Sequence, residues 1–88
     1  MNTSSEALRI LQQAASETKQ AINIIDNLVV EHDFQDVASL IAQAAYALNE
    51  SAQQLMKSND IAAFEAMERA EDLLDAVYSI IDAETDEE

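Results

Sequence analysis

The chain contains neither glycine nor proline in its 88 residues. Average usage would give about ten of the two together in a chain of this length. Tight hairpin turns depend on residues that tolerate positive φ, glycine above all, so a chain without glycine is poorly suited to a β-sheet. Hydrophobic residues make up 49% of the sequence, which is enough to form a core. The composition therefore predicts an all-α protein, and the length predicts a single domain.

Apolar residues recur at alternating steps of three and four in three segments, which predicts helices at about 4–31, 34–57 and 60–83. Thr3 and Glu6 form a capping-box pattern before the first helix, Asp33 is the expected N-cap of the second, and Ser58, Asn59 or Asp60 can cap the third. Each predicted helix has an apolar stripe that is expected to face the core. The stripes are Leu8, Leu11, Ala15, Thr18, Ile22, Ile25 and Val29 in the first helix; Phe34, Val37, Ile41, Ala44, Leu48, Ser51 and Leu55 in the second; and Ala63, Met67, Ala70, Leu74, Val77 and Ile81 in the third.

The linkers between these helices are short, so consecutive helices are expected to run antiparallel. Two architectures fit: an up-down-up three-helix bundle over residues 1–83, or a helical unit that self-associates through spare apolar surface. The first helix carries a broad apolar arc that also includes Ile10, Ile24 and Leu28, which favours a homodimer. The acidic tail at 84–88 has no apolar periodicity and is expected to fray into solvent.

Negative charge is concentrated in the last third of the chain. Residues 59–88 hold eleven acids and one base, so they carry −10 of the net charge of −14. A helical projection places six of these acids on one ridge, opposite or flanking the apolar stripe of the third helix. We call them the acidic ridge: Glu65, Glu68, Glu71, Asp72, Asp75 and Asp82. Like charges three and four residues apart destabilise a helix, so solubility or binding must favour them.

Three interpretations of the acidic ridge remain open. It is a solvated face that prevents aggregation, a surface that imitates the nucleic-acid backbone, or a contact for another basic protein. In size and composition the chain resembles the class of small acidic phage inhibitors that mimic DNA, such as anti-restriction and anti-CRISPR proteins, although no motif carries this likeness. The resemblance implies a non-enzymatic inhibitor whose third helix occupies a basic, nucleic-acid-binding surface of a partner.

Tyr46 is a second candidate contact, because it lies about half a turn from the Ile41–Leu48–Leu55 stripe among uncharged polar residues. An exposed tyrosine in such surroundings is typical of a binding hot spot, and the alternative is that it packs across a neighbouring helix. The runner-up function is a helical adaptor or secretion-type chaperone that acts through apolar grooves and dimerises.

The remaining residue types argue against catalysis and cofactors. The chain has no cysteine and a single histidine, His32, which is expected in a turn, so no metal-ligand set is recognisable. Carboxylates on an exposed ridge lack the burial that tunes an acid or a base, and we expect no enzyme activity, cofactor or metal. The acidity disfavours direct contact with nucleic acid or membranes, and we expect a cytoplasmic protein.

Overall fold

Three helices account for most of the molecule. A computed structural model describes residues 3–85 of the chain, and the side chains of residues 3–83. Helix α1 spans Ser4–Asp26, α2 spans Gln35–Met56 and α3 spans Asp60–Thr85, and no strand occurs in the described range. The prediction of a small all-α bundle is confirmed.

The helices run up, down and up, with α2 in the middle. Asp26 near the end of α1 accepts a 2.7 Å hydrogen bond from the hydroxyl of Ser39 near the start of α2. Glu50 near the end of α2 pairs at 2.9 Å with Arg69 in the first half of α3. Within the described residues, no Cα atom of α1 lies within 8 Å of one in α3. The bundle is therefore open, and its radius of gyration of 15.5 Å exceeds the ~12 Å expected for a compact chain of this length.

The linker between α1 and α2 begins earlier than the periodicity predicts. We expected the first helix to continue to about residue 31, but α1 ends at Asp26, where the side-chain amide of Asn27 donates to the carbonyl of Asn23. The side chain of Gln35 then holds the linker in place. Its amide N–H donates to the backbone carbonyl of Ile25 at 2.6 Å, and its amide oxygen accepts from the backbone N–H of His32 at 3.1 Å. The apolar residues after residue 27 have the spacing of a further helical turn. In the structure, hydrogen bonds from side chains to the backbone form there instead of that turn.

The predicted caps are partly confirmed. The Thr3 hydroxyl accepts from the backbone N–H of Glu6 at 3.1 Å, and the side-chain oxygen Oδ1 of Asn59 accepts from the backbone N–H of Ala62 at 3.2 Å. The prediction for Asp33 is wrong: α2 begins one residue after Phe34, which makes no side-chain cap. Of the predicted tail, residues 84 and 85 continue α3, and residues 86–88 lie outside the described range.

Small residues form the core. The buried positions are Ala15, Ser39, Ala44, Ala47, Ser51, Ala63, Ala66, Ala70 and Val77. Such side chains let α2 and α3 approach closely, because the distance between packed helices depends on the side chains at the contact. The predicted stripe of α2 is right at Ala44 and Ser51, which are buried, and wrong at Ile41, Leu48 and Leu55, which are each about half exposed. The stripe of α3 is right at Ala63, Ala70 and Val77, but its members Met67 and Ile81 are exposed.

We predict that Ala66→Leu destabilises the fold, because Ala66 is 0% exposed in the contact between α2 and α3 and extra methylene groups in a packed core cost about 1–3 kcal/mol. Ala21→Leu is the matched control, since Ala21 is exposed on α1. Urea unfolding followed by circular dichroism measures both variants. Equal stability of Ala66→Leu and Ala21→Leu would show that the two helices are not held at alanine spacing.

A residue in the left-handed backbone conformation makes the turn between α2 and α3. Ser58 has a φ of 61°, and it follows the C-cap residue Lys57. The N–H of Asn59 donates to the Gln54 carbonyl at 2.8 Å, and the N–H of Ser58 donates to the Leu55 carbonyl at 3.0 Å. This is the Schellman arrangement, in which glycine usually occupies the position of Ser58. A side chain at positive φ has a steric cost that glycine lacks.

We therefore predict that Ser58→Gly stabilises the protein by about 1 kcal/mol, although glycine generally weakens helical proteins. Ser79→Gly is the matched control, because Ser79 is an exposed residue inside α3 and the substitution should cost about 0.5 kcal/mol. Urea midpoints that move in opposite directions would support the assignment. A loss of stability in both variants would contradict it.

Candidate protein-binding surfaces

The acidic ridge runs along one continuous helix. All six of its members belong to α3, and all are exposed. The opposite side of α3 packs on α2 through Ala63, Ala66, Ala70 and Val77, and among the described residues α1 makes no close backbone approach to α3. The carboxylates therefore lie on an outer edge of the molecule, where a partner can reach all of them together.

The one base of α3 points away from this edge. The Arg69 guanidinium donates to a Glu50 carboxylate oxygen of α2 at 2.9 Å, and both side chains are about half exposed. The sequence alone allowed Arg69 to relieve repulsion with Glu65 and Asp72, its neighbours along α3. Because the side chain turns to α2 instead, the ridge keeps its negative field.

The spacing of the ridge is comparable with that of a nucleic-acid strand. Glu65 and Asp82 are separated by ~25 Å along the axis, and successive turns repeat every ~5.4 Å. One strand of B-DNA carries a phosphate every ~3.4 Å. The ridge thus matches the length of a short strand segment with fewer charges, and it suits a surface lined with arginine or lysine.

Tyr46 lies in a groove rather than on an open face. The groove is lined by residues of all three helices: Ile22, Gln43, Tyr46, Ala47, Glu50, Arg69 and Leu73. Tyr46 is half-buried there, close to the Glu50–Arg69 ion pair. This agrees with the alternative that the tyrosine packs against neighbouring helices. The structure does not bring Tyr46 together with the acidic ridge: Tyr46 lines the groove, and none of the six ridge residues does.

A third surface was missed by sequence reasoning. Six residues of α2 recur at steps of three and four on the side away from the groove, and we call them the α2 face: Ala38, Ile41, Ala45, Leu48, Ala52 and Leu55. Its three large members are 48%, 48% and 51% exposed. The predicted core-facing stripe joined these large residues to Ala44 and Ser51, and only the small residues, together with Ala47, are buried.

The described residues contain no group of three or more side chains suited to holding a metal ion. His32 lies in the linker, as expected, beside Glu31, Asp33 and Asp36. None of the helices in the described range is long and apolar enough to cross a membrane.

Comparisons with protein-family models, with curated proteins and with solved structures find no match to this chain. The surfaces themselves are therefore the basis for assigning a function.

We predict that replacing three ridge residues together, Glu68→Gln, Asp72→Asn and Asp75→Asn, leaves the fold intact and raises its stability by about 1 kcal/mol at low ionic strength, because like-charged pairs three and four residues apart disappear. The gain should shrink in salt, which screens exposed charges. The control is Glu6→Gln, Glu17→Gln and Glu31→Gln, which removes the same charge from residues that are far apart in sequence. Urea unfolding at two salt concentrations tests the prediction, and equal gains in both triple variants would contradict it.

Proposed function

We propose that the protein is a non-enzymatic binding protein whose acidic ridge occupies a basic surface of a partner protein, such as a nucleic-acid-binding surface. In this proposal it acts in the cytoplasm as an inhibitor of the DNA-mimic type. The observation that carries the proposal is the placement of six exposed carboxylates along the free edge of α3, with the only base of that helix paired to α2.

Electrostatic reasoning supports this kind of partner. A line of exposed like charges raises the local concentration of oppositely charged surfaces and speeds their association. A continuous helix also presents its charges without an ordering cost, which favours affinity. The same charges repel nucleic acid and anionic lipid, so a basic protein is the partner that fits the ridge.

A second function is favoured by a different observation. The large residues of the α2 face and several residues of the linker are exposed, among them Val29 at 99%. Exposed apolar residues that lie close together mark interaction sites in soluble proteins. They support a helical adaptor or secretion-type chaperone that holds apolar segments of other proteins and dimerises.

One binding experiment separates the two functions. The wild-type protein, the ridge triple variant and the control triple variant are immobilised side by side, and proteins are captured from a lysate of the cells that make the protein. Under the ridge proposal, a basic protein binds the wild type and the control, is lost from the ridge variant, and is released by moderate salt or by added duplex DNA.

Other outcomes have equally clear meanings. A captured protein that binds the ridge variant normally, or that binds duplex DNA and the wild type together, would refute the ridge as the binding surface. Capture that resists salt and is lost in Leu48→Gln would favour the apolar adaptor instead, because apolar contacts are not screened by salt.

A further inference from the structure

The α2 face forms an uncharged strip along the middle helix, and we also call this strip the seam. Between Asp36 and Lys57 the only charged side chain is Glu50, and it pairs with Arg69 beside the groove. The seam repeats at steps of three and four over almost the full length of α2, which is the spacing of a helix that packs along another helix. Neither α1 nor α3 covers it, because Ile41, Leu48 and Leu55 remain about half exposed.

Apolar residues of α3 extend this face. Arg69 and Leu73 line the groove on one flank of the buried strip of α3, so Met67 and Tyr78 lie on the opposite flank. The antiparallel register set by Glu50 and Arg69 puts Tyr78 at the level of Ile41. Met67 is 39% exposed and Tyr78 is 61% exposed.

The order of small and large residues in the seam is self-complementary. From the N-terminus the α2 face reads Ala, Ile, Ala, Leu, Ala, Leu at positions 38, 41, 45, 48, 52 and 55. If a second α2 runs antiparallel about a two-fold axis near residues 46 and 47, Ala38 meets Leu55, Ile41 meets Ala52, and Ala45 meets Leu48. Every contact then joins one small and one large residue, and every contact occurs twice.

This pattern is what a two-fold interface requires, because residue i of one copy meets residue j of the other and the reverse. Alternating small and large residues across facing positions also lets two helices interdigitate at constant separation. A parallel pairing in register would instead place leucine on leucine and alanine on alanine.

The accessible surface area of the chain is large enough for a second copy to bind. The chain exposes 6431 Å², whereas a compact monomer of its mass is expected to expose about 5,100 Å². The excess of about 1,300 Å² belongs to the whole open bundle, and it is large enough to include the ~800 Å² that each partner buries in a standard interface. We propose that the α2 face binds the α2 face of a second copy of this chain, antiparallel, to form a symmetric dimer.

The charge distribution selects a second copy over a basic partner at this face. The α2 face offers no carboxylate to attract a basic surface, whereas the acidic ridge does. Two copies that each carry −14 repel one another, and salt screens that repulsion. The dimer should therefore tighten as salt rises, whereas binding of a basic partner to the ridge should weaken. The proposal does not depend on the function of the ridge.

Sedimentation equilibrium of the whole protein at low and high salt tests the proposal. We expect a mass of twice 9.7 kDa at high concentration, with a dissociation constant that falls as salt is added. Leu48→Gln should weaken association by at least about tenfold, because its contact occurs twice. Ile61→Gln is the control, since Ile61 is exposed at the start of α3 and away from the seam.

A charge-neutral exchange tests the antiparallel register itself. Ala45→Leu alone makes two large residues meet, and Leu48→Ala alone leaves a gap, so each should weaken association by about tenfold. The two changes together restore one small and one large residue at each contact, and association should return to within about threefold of wild type. Circular dichroism checks that the helices persist, because these positions are exposed in a single chain.

Several results would overturn the proposal. These are a monomer at all concentrations and salts, a dimer unaffected by Leu48→Gln, and failure of the double exchange to recover association. The ridge triple variant should still dimerise, at least as tightly as wild type. A failed dimer with intact capture of a basic protein would therefore reject this proposal and leave the proposed function standing.

Discussion

The close approach of α2 and α3 through alanine and serine determines the rest of the surface. Ala47 and Ser51 of α2 and Ala63, Ala66 and Ala70 of α3 are all buried. When the smallest side chains fill a contact, the large apolar residues of the same helices must lie beside it. Leu48 and Tyr78 are therefore exposed because of the core and not in spite of it. An open three-helix arrangement with a thin core has apolar surface left over, which a compact bundle of the same size would bury.

Periodicity predicted the helices well because it depends on backbone geometry that every helix shares. The seven-residue repeat of α2 is real, and its phase alone could not show which stripe faces the other helices. The predicted stripe included Ala44 and Ser51, which are buried, as well as Ile41 and Leu48, which are about half exposed. Hydrophobicity favours burial of the large residues, whereas steric fit between helices favours burial of the small ones, and the structure follows steric fit. The end of α1 was mispredicted for a different reason, since Gln35 holds the linker through side-chain bonds to the backbone of Ile25 and His32, which hydrophobic periodicity does not report.

The acidic ridge was predictable for a simpler reason. Exposed charges need only the helical phase to be placed, and no neighbour has to be known. The pairing of Arg69 with Glu50 needed the packing of α2 on α3, so the sequence could not reveal it. Tyr46 is an intermediate case: its distance from the apolar stripe was read correctly, but the groove around it depends on residues of α1 and α3. Local placement is available from sequence, whereas contacts between helices are not.

Strong negative charge and exposed apolar surface act together in this molecule. A chain with exposed apolar residues and little charge would associate without order, whereas a net charge of −14 opposes each encounter between copies. Under such repulsion, an association persists only where many well-fitted contacts form together. A two-fold seam meets this condition and also closes, because each copy uses the same face and no second copy of that face remains free to extend the assembly. The acidity that suits a basic partner at the ridge would then also restrict self-association to the one face whose order of small and large residues fits itself.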